Sequence, residues 1–335
     1  MTRGGAVLES ADPGLAAAVD HGLAVVEERL REVVASAHPL LDRASRHLAD
    51  AGGKRVRPLL ALLAAQLGDP AAPGVVDAAV VVELTHLATL YHDDVMDEAD
   101  VRRGAPSANA RWSNTIAILP GDFLFARASD LTAGLGVEAT RIQAHTFARL
   151  VEGQISETAG PADGEDAVAH HLQVLADKTA SLIATSARLG AMMAGASPAD
   201  VETVARFGEV FGTAFQLSDD LIDVLSETGE SGKTPGTDLR EGIRTLPVLL
   251  VLAGEAAPHD GDDTRLRELL AGDLDHDERL VEALQLLRAH PAMGTARARL
   301  SACVDEAREI AADLPPGPVR DSLASLSDFV LARTG

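Results

Sequence analysis

Two Asp-Asp-x-x-Asp motifs lie inside apolar, helix-patterned stretches of this 335-residue chain. Their carboxylates belong to Asp93, Asp94 and Asp97 in the first motif and to Asp219, Asp220 and Asp223 in the second. Residues three and four apart share a helix face, so each motif predicts one cluster of carboxylates. Such a cluster is tolerated when divalent cations neutralise it, and Mg²⁺ prefers oxygen ligands completed by substrate phosphates. Because 126 residues separate Asp93 from Asp219, we expect only a helical bundle to bring the motifs face to face around a diphosphate. A pair of solvated acidic helix faces is the alternative.

The rest of the chain favours helices throughout. Ala- and Leu-rich segments with apolar residues at helical spacing alternate with Gly- and Pro-rich breakers, and aromatic residues make up only 3%. Residues 75–100 are apolar on almost every side until the carboxylates appear, which predicts a buried central helix whose acidic end opens into a cavity. Residues 207–225 repeat this arrangement. We therefore predict an all-α fold, one large bundle of ten or more helices around a central cavity, with residues 1–335 as a single domain.

Composition excludes several classes of function. A net charge of −22 argues against binding to nucleic acid or to anionic lipid surfaces. Cys303 is the one cysteine, so neither an internal disulfide nor a cysteine-based metal site is expected. The N-terminus lacks an apolar signal region, and no apolar run is long enough to cross a bilayer. These features predict a cytoplasmic protein with no membrane span.

Basic residues near the acidic motifs predict anion binding. The segment Gly52-Gly53-Lys54-Arg55-Val56-Arg57-Pro58 precedes a helix, and helix N-termini with paired cations bind anions well. Arg102 and Arg103 follow the first motif, while Lys178-Thr179 and Lys233 lie further along the chain. Each of these residues alone is most simply a surface charge. Five such sites around two acidic motifs, in so acidic a chain, favour phosphate binding.

With these motifs in order, the chain resembles the trans-type (E-) isoprenyl diphosphate synthases of the polyprenyl synthetase family. The matching segments are the Gly-Gly-Lys-x-x-Arg-Pro segment, His86 before the first acidic motif, Arg102-Arg103-Gly104, Asp177-Lys178-Thr179, Phe215-Gln216 before the second motif, Gly232-Lys233 and Thr245-Leu246-Pro247. They span about residues 45–250. Arg244 departs from the pattern, since many members carry Lys before Thr-Leu-Pro, and this difference affects fine positioning.

The resemblance implies a fold of the isoprenoid synthase type, a homodimer, and roles for individual residues. Mg²⁺ would be bound by Asp93, Asp97 and Asp219, with Asp94, Asp220 and Asp223 as water-mediated partners. The isopentenyl diphosphate site would comprise Lys54, Arg57, His86 and Arg103. The allylic diphosphate would be bound by Arg102, Lys178, Thr179, Gln216 and Lys233, and Asp93, Asp97, Asp219 and Lys178 would act in catalysis.

The implied reaction is the Mg²⁺-dependent head-to-tail condensation of isopentenyl diphosphate with an allylic diphosphate. Ala88 and Thr89, five and four residues before Asp93, are the positions at which short-chain relatives close the product tunnel with an aromatic residue. Neither is bulky here, and this segment looks most like octaprenyl-to-decaprenyl synthases. We therefore expect a long all-trans product, heptaprenyl to decaprenyl, suited to a quinone side chain. Alternatively, Phe123 or Phe125 on a neighbouring helix closes the end of the product tunnel, its floor, and the product is then of farnesyl or geranylgeranyl length.

Two other classes compete with this interpretation. Class I terpene cyclases are also all-α, but they usually replace the second acidic motif with an Asn/Ser/Glu pattern and lack the Gly-Gly-Lys-x-x-Arg segment. Accessory subunits of two-component synthases lack the acidic motifs altogether. This chain keeps both motifs and the basic segment, so a catalytic synthase is favoured; whether it requires a second subunit stays open.

Overall fold

The computed structural model describes residues 12–226, 236–254, 262–274 and 276–334, and within them the chain is almost entirely helical, as predicted. The helices are α1 (Pro13–Val33), α2 (Pro39–Asp50), α3 (Val56–Ala65), α4 (Val75–Met96), α5 (Ala108–Arg111), α6 (Asn114–Leu135), α7 (Val137–Ala159), α8 (Ala167–Leu175), α9 (Ser181–Met193), α10 (Pro198–Leu225), α11 (Thr237–Arg240), α12 (Leu246–Ala253), α13 (Asp262–Leu270), α14 (Asp277–Ala289), α15 (Pro291–Ala312) and α16 (Pro318–Ala332). A π-helical turn, Ala176–Ala180, joins α8 to α9. Strands β1 (Val101–Arg102) and β2 (Ala105–Pro106) form a short antiparallel hairpin.

The chain groups into two compact units. The first comprises residues 1–149, 181–208 and 310–326, and the second comprises residues 150–180, 209–309 and 327–335. The first acidic motif belongs to the first unit and the second motif to the second. A single domain over residues 1–335 stays a prediction.

Helix α4 is the buried helix that the sequence predicted, although it ends at Met96 rather than at Asp100. Apolar residues along it, such as Ala78, Val81 and Leu84, have no solvent exposure. In the first unit α4 packs against α1, α3, α6 and α9. By length and composition α4 could cross a membrane, but 67% of its most apolar window is buried inside the fold. Burial on all sides explains why its apolar pattern is continuous rather than one-faced.

Close helix contacts in the first unit depend on glycine. A Cβ on Gly190 of α9 would lie 2.0 Å from the carbonyl oxygen of Ala61 on α3. A larger residue there would force the two backbones apart, and α3 begins within the basic segment, at Val56. In the second unit, α12 packs against α8 and α13, and α13 packs against α14. Leu246, Leu250 and Val251 of α12 are buried in that core.

Candidate active site

The first acidic motif lies at the C-terminal end of α4. Asp93 is half-buried, Asp94 is buried, and Asp97 is the exposed C-cap residue of the helix. The Nε of Arg102 donates to Asp94 Oδ1 at 2.5 Å, while Asp94 Oδ2 is buried without a hydrogen-bond partner. Burial raises the pKa of Asp94, and the guanidinium of Arg102 opposes that shift. Asp94 is thus held by Arg102 rather than presented to solvent.

The prediction that Asp93, Asp94 and Asp97 form one cluster of carboxylates is wrong for Asp94, which pairs with Arg102. Within the described ranges, no group of three or more His, Cys, Asp or Glu side chains is placed to hold a metal ion. Adjacent helix residues point about 100° apart, so Asp94 turns away from the direction of Asp93 and meets Arg102. The exposed Asp97 and the unpartnered oxygen of Asp94 still fit a hard cation, because Mg²⁺ takes only one or two carboxylates and completes its shell with water and phosphate.

Basic residues of the first unit gather around His86 on α4. This half-buried imidazole has a pKa well below its usual value, because burial and the charges of Arg57, Arg103, Arg55 and Arg102 all disfavour its protonation. At neutral pH, His86 is therefore a neutral hydrogen-bonding group among cations. Arginine charges near one neutral side chain favour anions, although Arg55 and Arg102 are themselves paired with carboxylates.

Arg57 and Arg103 have different surroundings within this group. The Nε of Arg57, in the first turn of α3, is buried without a hydrogen-bond partner, and burial lowers the pKa of Arg57 to about 10. Arg103, at a left-handed φ of 54°, donates to the carbonyl oxygens of Leu48 (3.0 Å) and Gly52. A Cβ on Gly53 would lie 3.0 Å from the guanidinium of Arg103, so a larger residue there would require that side chain to shift. Lys54 is exposed in the same turn.

A buried ion-pair network beside this site was missed by the sequence interpretation. Arg55 bonds to Glu27 of α1 and to Glu83 of α4, and Glu83 is only 2% exposed. Glu83, a carboxylate inside the apolar run of α4, was a sequence signal for this network, since buried charges need partners. Tyr91, also buried, donates to the carbonyl oxygen of Ala44 and accepts from the backbone N–H of Leu48.

The second acidic motif lies on α10, in the second unit, and each carboxylate has a partner there. Asp219 accepts from Arg333 near the C-terminus, whose guanidinium also lies 4.9 Å from the ring centroid of Phe215. Asp220 is buried, with its Oδ2 3.1 Å from Nε2 of His171. Asp223 accepts from the backbone N–H groups of Thr237 (3.1 Å) and Asp238 (3.2 Å), at the start of α11. No local pattern in the sequence indicated Arg333 or His171.

The π-helical turn positions Lys178 and Thr179. π-Helical turns concentrate at functional sites, and this one passes close to α7: a Cβ on Gly153 would lie 2.8 Å from the backbone nitrogen of Lys178. The Nζ of Lys178 donates to Glu157. Thr179 Oγ1 lies 3.5 Å from Oε1 of Gln216, whose Nε2 lies 3.5 Å from Asp220. This chain of contacts links the turn to the second motif. Lys233 lies outside the described residues.

The two predicted chain-length positions differ in their surroundings. Ala88 has no solvent exposure, and its carbonyl oxygen would lie 3.2 Å from a Cβ on Gly121 of α6. Thr89 is half-buried and donates to the carbonyl oxygen of His86 at 2.8 Å. Thr89 lies four residues before Asp93 and so shares its helix face. Ala88 lies at the contact with α6.

The two alternative floor residues are both on α6. The ring of Phe125 lies 5.6 Å from that of His92 and 4.3 Å from that of Phe147. The guanidinium of Arg127 lies 5.3 Å from the ring centroid of Phe123. Because His92 is one turn from Ala88 on the same face, Phe125 is the better placed of the two to contact a chain passing this region.

Comparisons with known proteins identify the family of this chain. The family model described as polyprenyl synthetase matches residues 38–287. Nonaprenyl diphosphate synthase of Mycobacterium tuberculosis is 51% identical over 97% of this chain and 96% of its own length. The crystal structure of geranylgeranyl pyrophosphate synthase from Corynebacterium glutamicum, complexed with calcium and isoprenyl diphosphate, matches with a TM-score of 0.86 and 44% identity, covering 97% of this chain and 98% of that one.

A third match is also a solved structure. The crystal structure of a decaprenyl diphosphate synthase from Rhodobacter capsulatus matches with a TM-score of 0.84 and 34% identity, covering 96% of this chain and 99% of that one. The range that the family model matches includes both acidic motifs and the basic segment that precedes α3. The chain therefore belongs to the polyprenyl synthetase family, whose members are prenyltransferases with the all-α isoprenoid synthase fold.

Proposed function

We propose that this prenyltransferase condenses isopentenyl diphosphate with an allylic diphosphate and repeats the reaction to give a long all-trans polyprenyl diphosphate, heptaprenyl to decaprenyl, for a quinone side chain. The observation that carries the proposal is that Arg57, whose Nε is buried without a partner, and Arg103 lie near His86 on α4, the helix that ends in the first acidic motif. The 51% identity to a nonaprenyl diphosphate synthase supports the long product. The 44% identity to a geranylgeranyl pyrophosphate synthase makes a shorter product the alternative.

Prenyl synthetases are generally metal-dependent, and we propose Mg²⁺ as the metal of this chain, held by Asp93, Asp97 and Asp219. When bound, Mg²⁺ would withdraw electron density from the departing diphosphate. Arg102 and Lys178 would pair with the same diphosphate and offset the charge that develops as it leaves. In the structure Arg102 donates to Asp94 and Lys178 donates to Glu157. Both side chains would therefore exchange a carboxylate for phosphate oxygens when substrate binds.

The reaction needs no dedicated basic side chain. The allylic carbon–oxygen bond breaks with both electrons leaving on the diphosphate, because the remaining cation is delocalised. The double bond of isopentenyl diphosphate then attacks the cation, a new carbon–carbon bond forms, and a proton passes from the isopentenyl unit to the released diphosphate. Neutral His86, with Lys54, Arg57 and Arg103, would hold the isopentenyl diphosphate in place. Apolar helix surfaces would exclude water, which would otherwise quench the cation.

The first test separates the two substrates. We expect Lys54→Ala or Arg57→Ala to raise the KM for isopentenyl diphosphate much more than that for the allylic primer, and Lys233→Ala to do the reverse. Loss of one charge-assisted phosphate contact should cost roughly 1.5–3 kcal/mol. Steady-state kinetics with each substrate varied in turn measure the effect, and sizing the products from each allylic primer measures chain length. Equal effects on both substrates would show that the two sites are wrongly assigned.

We also propose a two-fold homodimer that forms in the cytoplasm. Apolar side chains are exposed on α6, where Ile118 is 41% and Leu119 is 53% exposed, and Val137 at the start of α7 is 87% exposed. Such residues are costly to leave in water, and burying them against a second copy of the chain suits a C₂ interface. We expect sedimentation at micromolar concentration to show a dimer. Leu119→Glu should shift it to monomer, whereas Val281→Glu, at a 51% exposed position on α14, should not. A wild-type monomer would contradict the proposal.

A further inference from the structure

Arg55 lies in the middle of the basic segment, but its side chain faces the protein interior. The guanidinium is only 5% exposed. Its Nε donates to Glu27 Oε1 at 2.5 Å, its Nη1 to Glu83 Oε1 at 2.5 Å, and its Nη2 to the carbonyl oxygen of Ala49 at 2.9 Å. These contacts engage all three nitrogens of the guanidinium within the protein. In this respect Arg55 differs from Arg57, whose Nε is buried without a partner.

The backbone of Arg55 shows that this arrangement fixes a strained turn. Arg55 is the N-cap residue of α3 and has a φ of 49°, in the left-handed region that L-residues seldom adopt. Gly52 and Gly53, three and two residues before it, also have positive φ values, 81° and 152°. A non-glycine residue stays in this region only where its surroundings hold it there. Here the bonds to α1, α2 and α4 hold it.

The same contacts tie the turn to three helices. Glu27 belongs to α1, Ala49 to the last turn of α2, and Glu83 to α4. Arg103 reaches the same turn through the carbonyl oxygens of Leu48 and Gly52. The C-terminal carbonyls of α2 thus accept from two arginines, a favourable pairing because a helix C-terminus carries partial negative charge. The turn that presents Lys54 and Arg57 is therefore fixed by the bonds of Arg55 and Arg103.

We propose that Arg55, held by Glu27 and Glu83, is a positioning residue for the diphosphate of isopentenyl diphosphate. It fixes the turn at residues 52–58 so that Lys54 and Arg57 point at the diphosphate, and it does not contact the substrate itself. This proposal rests on the proposed function, since it assumes that Lys54 and Arg57 bind isopentenyl diphosphate. Glu83 adds a second effect: it is the carboxylate that faces the cations of this group, and its charge limits the repulsion between Arg55, Arg57 and Arg103.

The test compares Arg55→Lys, Glu83→Gln and Glu27→Gln with the wild-type protein. Each substitution keeps the side-chain size but breaks the bidentate or charged contact. We expect all three to raise the KM for isopentenyl diphosphate by about tenfold, to leave the KM for the allylic primer unchanged, and to leave kcat at saturating substrate within about threefold. A network that only stabilised the fold would lower the melting temperature without this split between the two KM values.

A matched control uses an ion pair between α1 and α4. Arg29 of α1 donates to Asp77 of α4 at 3.0 Å and so joins the two helices that carry Glu27 and Glu83. Arg29→Lys and Asp77→Asn should leave both KM values unchanged.

A double variant tests whether Arg55 acts through Lys54 and Arg57. On a Lys54→Ala background, Arg55→Lys should raise the KM for isopentenyl diphosphate much less than it does in the wild type, because its effect passes through Lys54 and Arg57. If Glu83→Gln fails to fold, Glu27→Gln, whose carboxylate is 29% exposed, carries the test.

Three results would overturn the positioning role. One is a lowered melting temperature with unchanged KM values in every variant. Another is a raised KM in Arg55→Lys alone, with normal KM values in Glu27→Gln and Glu83→Gln, which would make Arg55 a direct ligand. The third is full additivity on the Lys54→Ala background. Failure of the proposed function is a separate outcome, because a wild-type protein that does not consume isopentenyl diphosphate refutes it before any variant is compared.

Discussion

Asp93→Ala and Asp219→Ala proteins are expected to remain folded while losing several orders of magnitude in turnover. Each substitution removes a proposed metal ligand, and stabilisation of the charge on the leaving diphosphate is the main catalytic effect in this type of reaction. Both residues are half-buried at most and neither belongs to an apolar core. Incorporation of isopentenyl diphosphate into product measures the turnover, and circular dichroism with thermal melting measures the fold. Chelation by EDTA should abolish the wild-type activity, and added Mg²⁺ should restore it.

The control for these variants is Asp130→Ala, which removes an exposed carboxylate of α6 and should leave turnover unchanged. Asp219 also accepts a hydrogen bond from Arg333, so its variant leaves that guanidinium without its acceptor and could lose some stability. Near-normal turnover in a folded Asp93→Ala protein would refute the metal assignment.

Ala88→Phe is expected to shorten the product to farnesyl or geranylgeranyl length. Ala88 lies five residues before Asp93, about 7.5 Å along the axis of α4 at ~1.5 Å per residue. A ring at that depth would block a growing chain after few additions. The proposed metal and diphosphate sites keep their residues, so condensation itself should continue at a comparable rate. Thin-layer or liquid chromatography of the dephosphorylated products measures the length, and Thr89→Phe, on the face of Asp93, is the companion variant.

The buried position of Ala88 makes the other outcomes informative. Its backbone is in close contact with Gly121, so a general loss of activity with a lowered melting temperature would indicate overpacking against α6, at a cost of about 1–3 kcal/mol. If Thr89→Phe alone shortened the product, the chain would pass the face of Asp93 rather than that of Ala88. Unchanged products from both folded variants would place the floor elsewhere, with Phe125 beside His92 as the next candidate, and the long-chain proposal would lose its main support.

The helices themselves were predictable because their signals are local. The apolar run that begins at Val75 predicted a buried helix, and α4 is buried. A helix that is apolar on every side is stable in water only when it is buried in the core. Its end was harder to predict: the chain leaves the helix at Met96, and Asp97 caps it. The second acidic helix also begins earlier than predicted, at Pro198 rather than Phe207, because proline fits the first turn of a helix.

The sequence by itself determined which kinds of residue this protein would use: its periodicity requires helices, its acidic motifs and basic segment favour phosphate binding, and their order indicated the family. The tertiary structure alone decided which charges face which. Asp94 pairs with Arg102, Arg55 turns inward to Glu27 and Glu83, and Arg333 reaches Asp219 across 114 positions of sequence. Such pairs form between segments that are distant along the chain. Residue type and spacing fix the direction of a side chain on its own helix, whereas its partner depends on which helix the fold brings beside it.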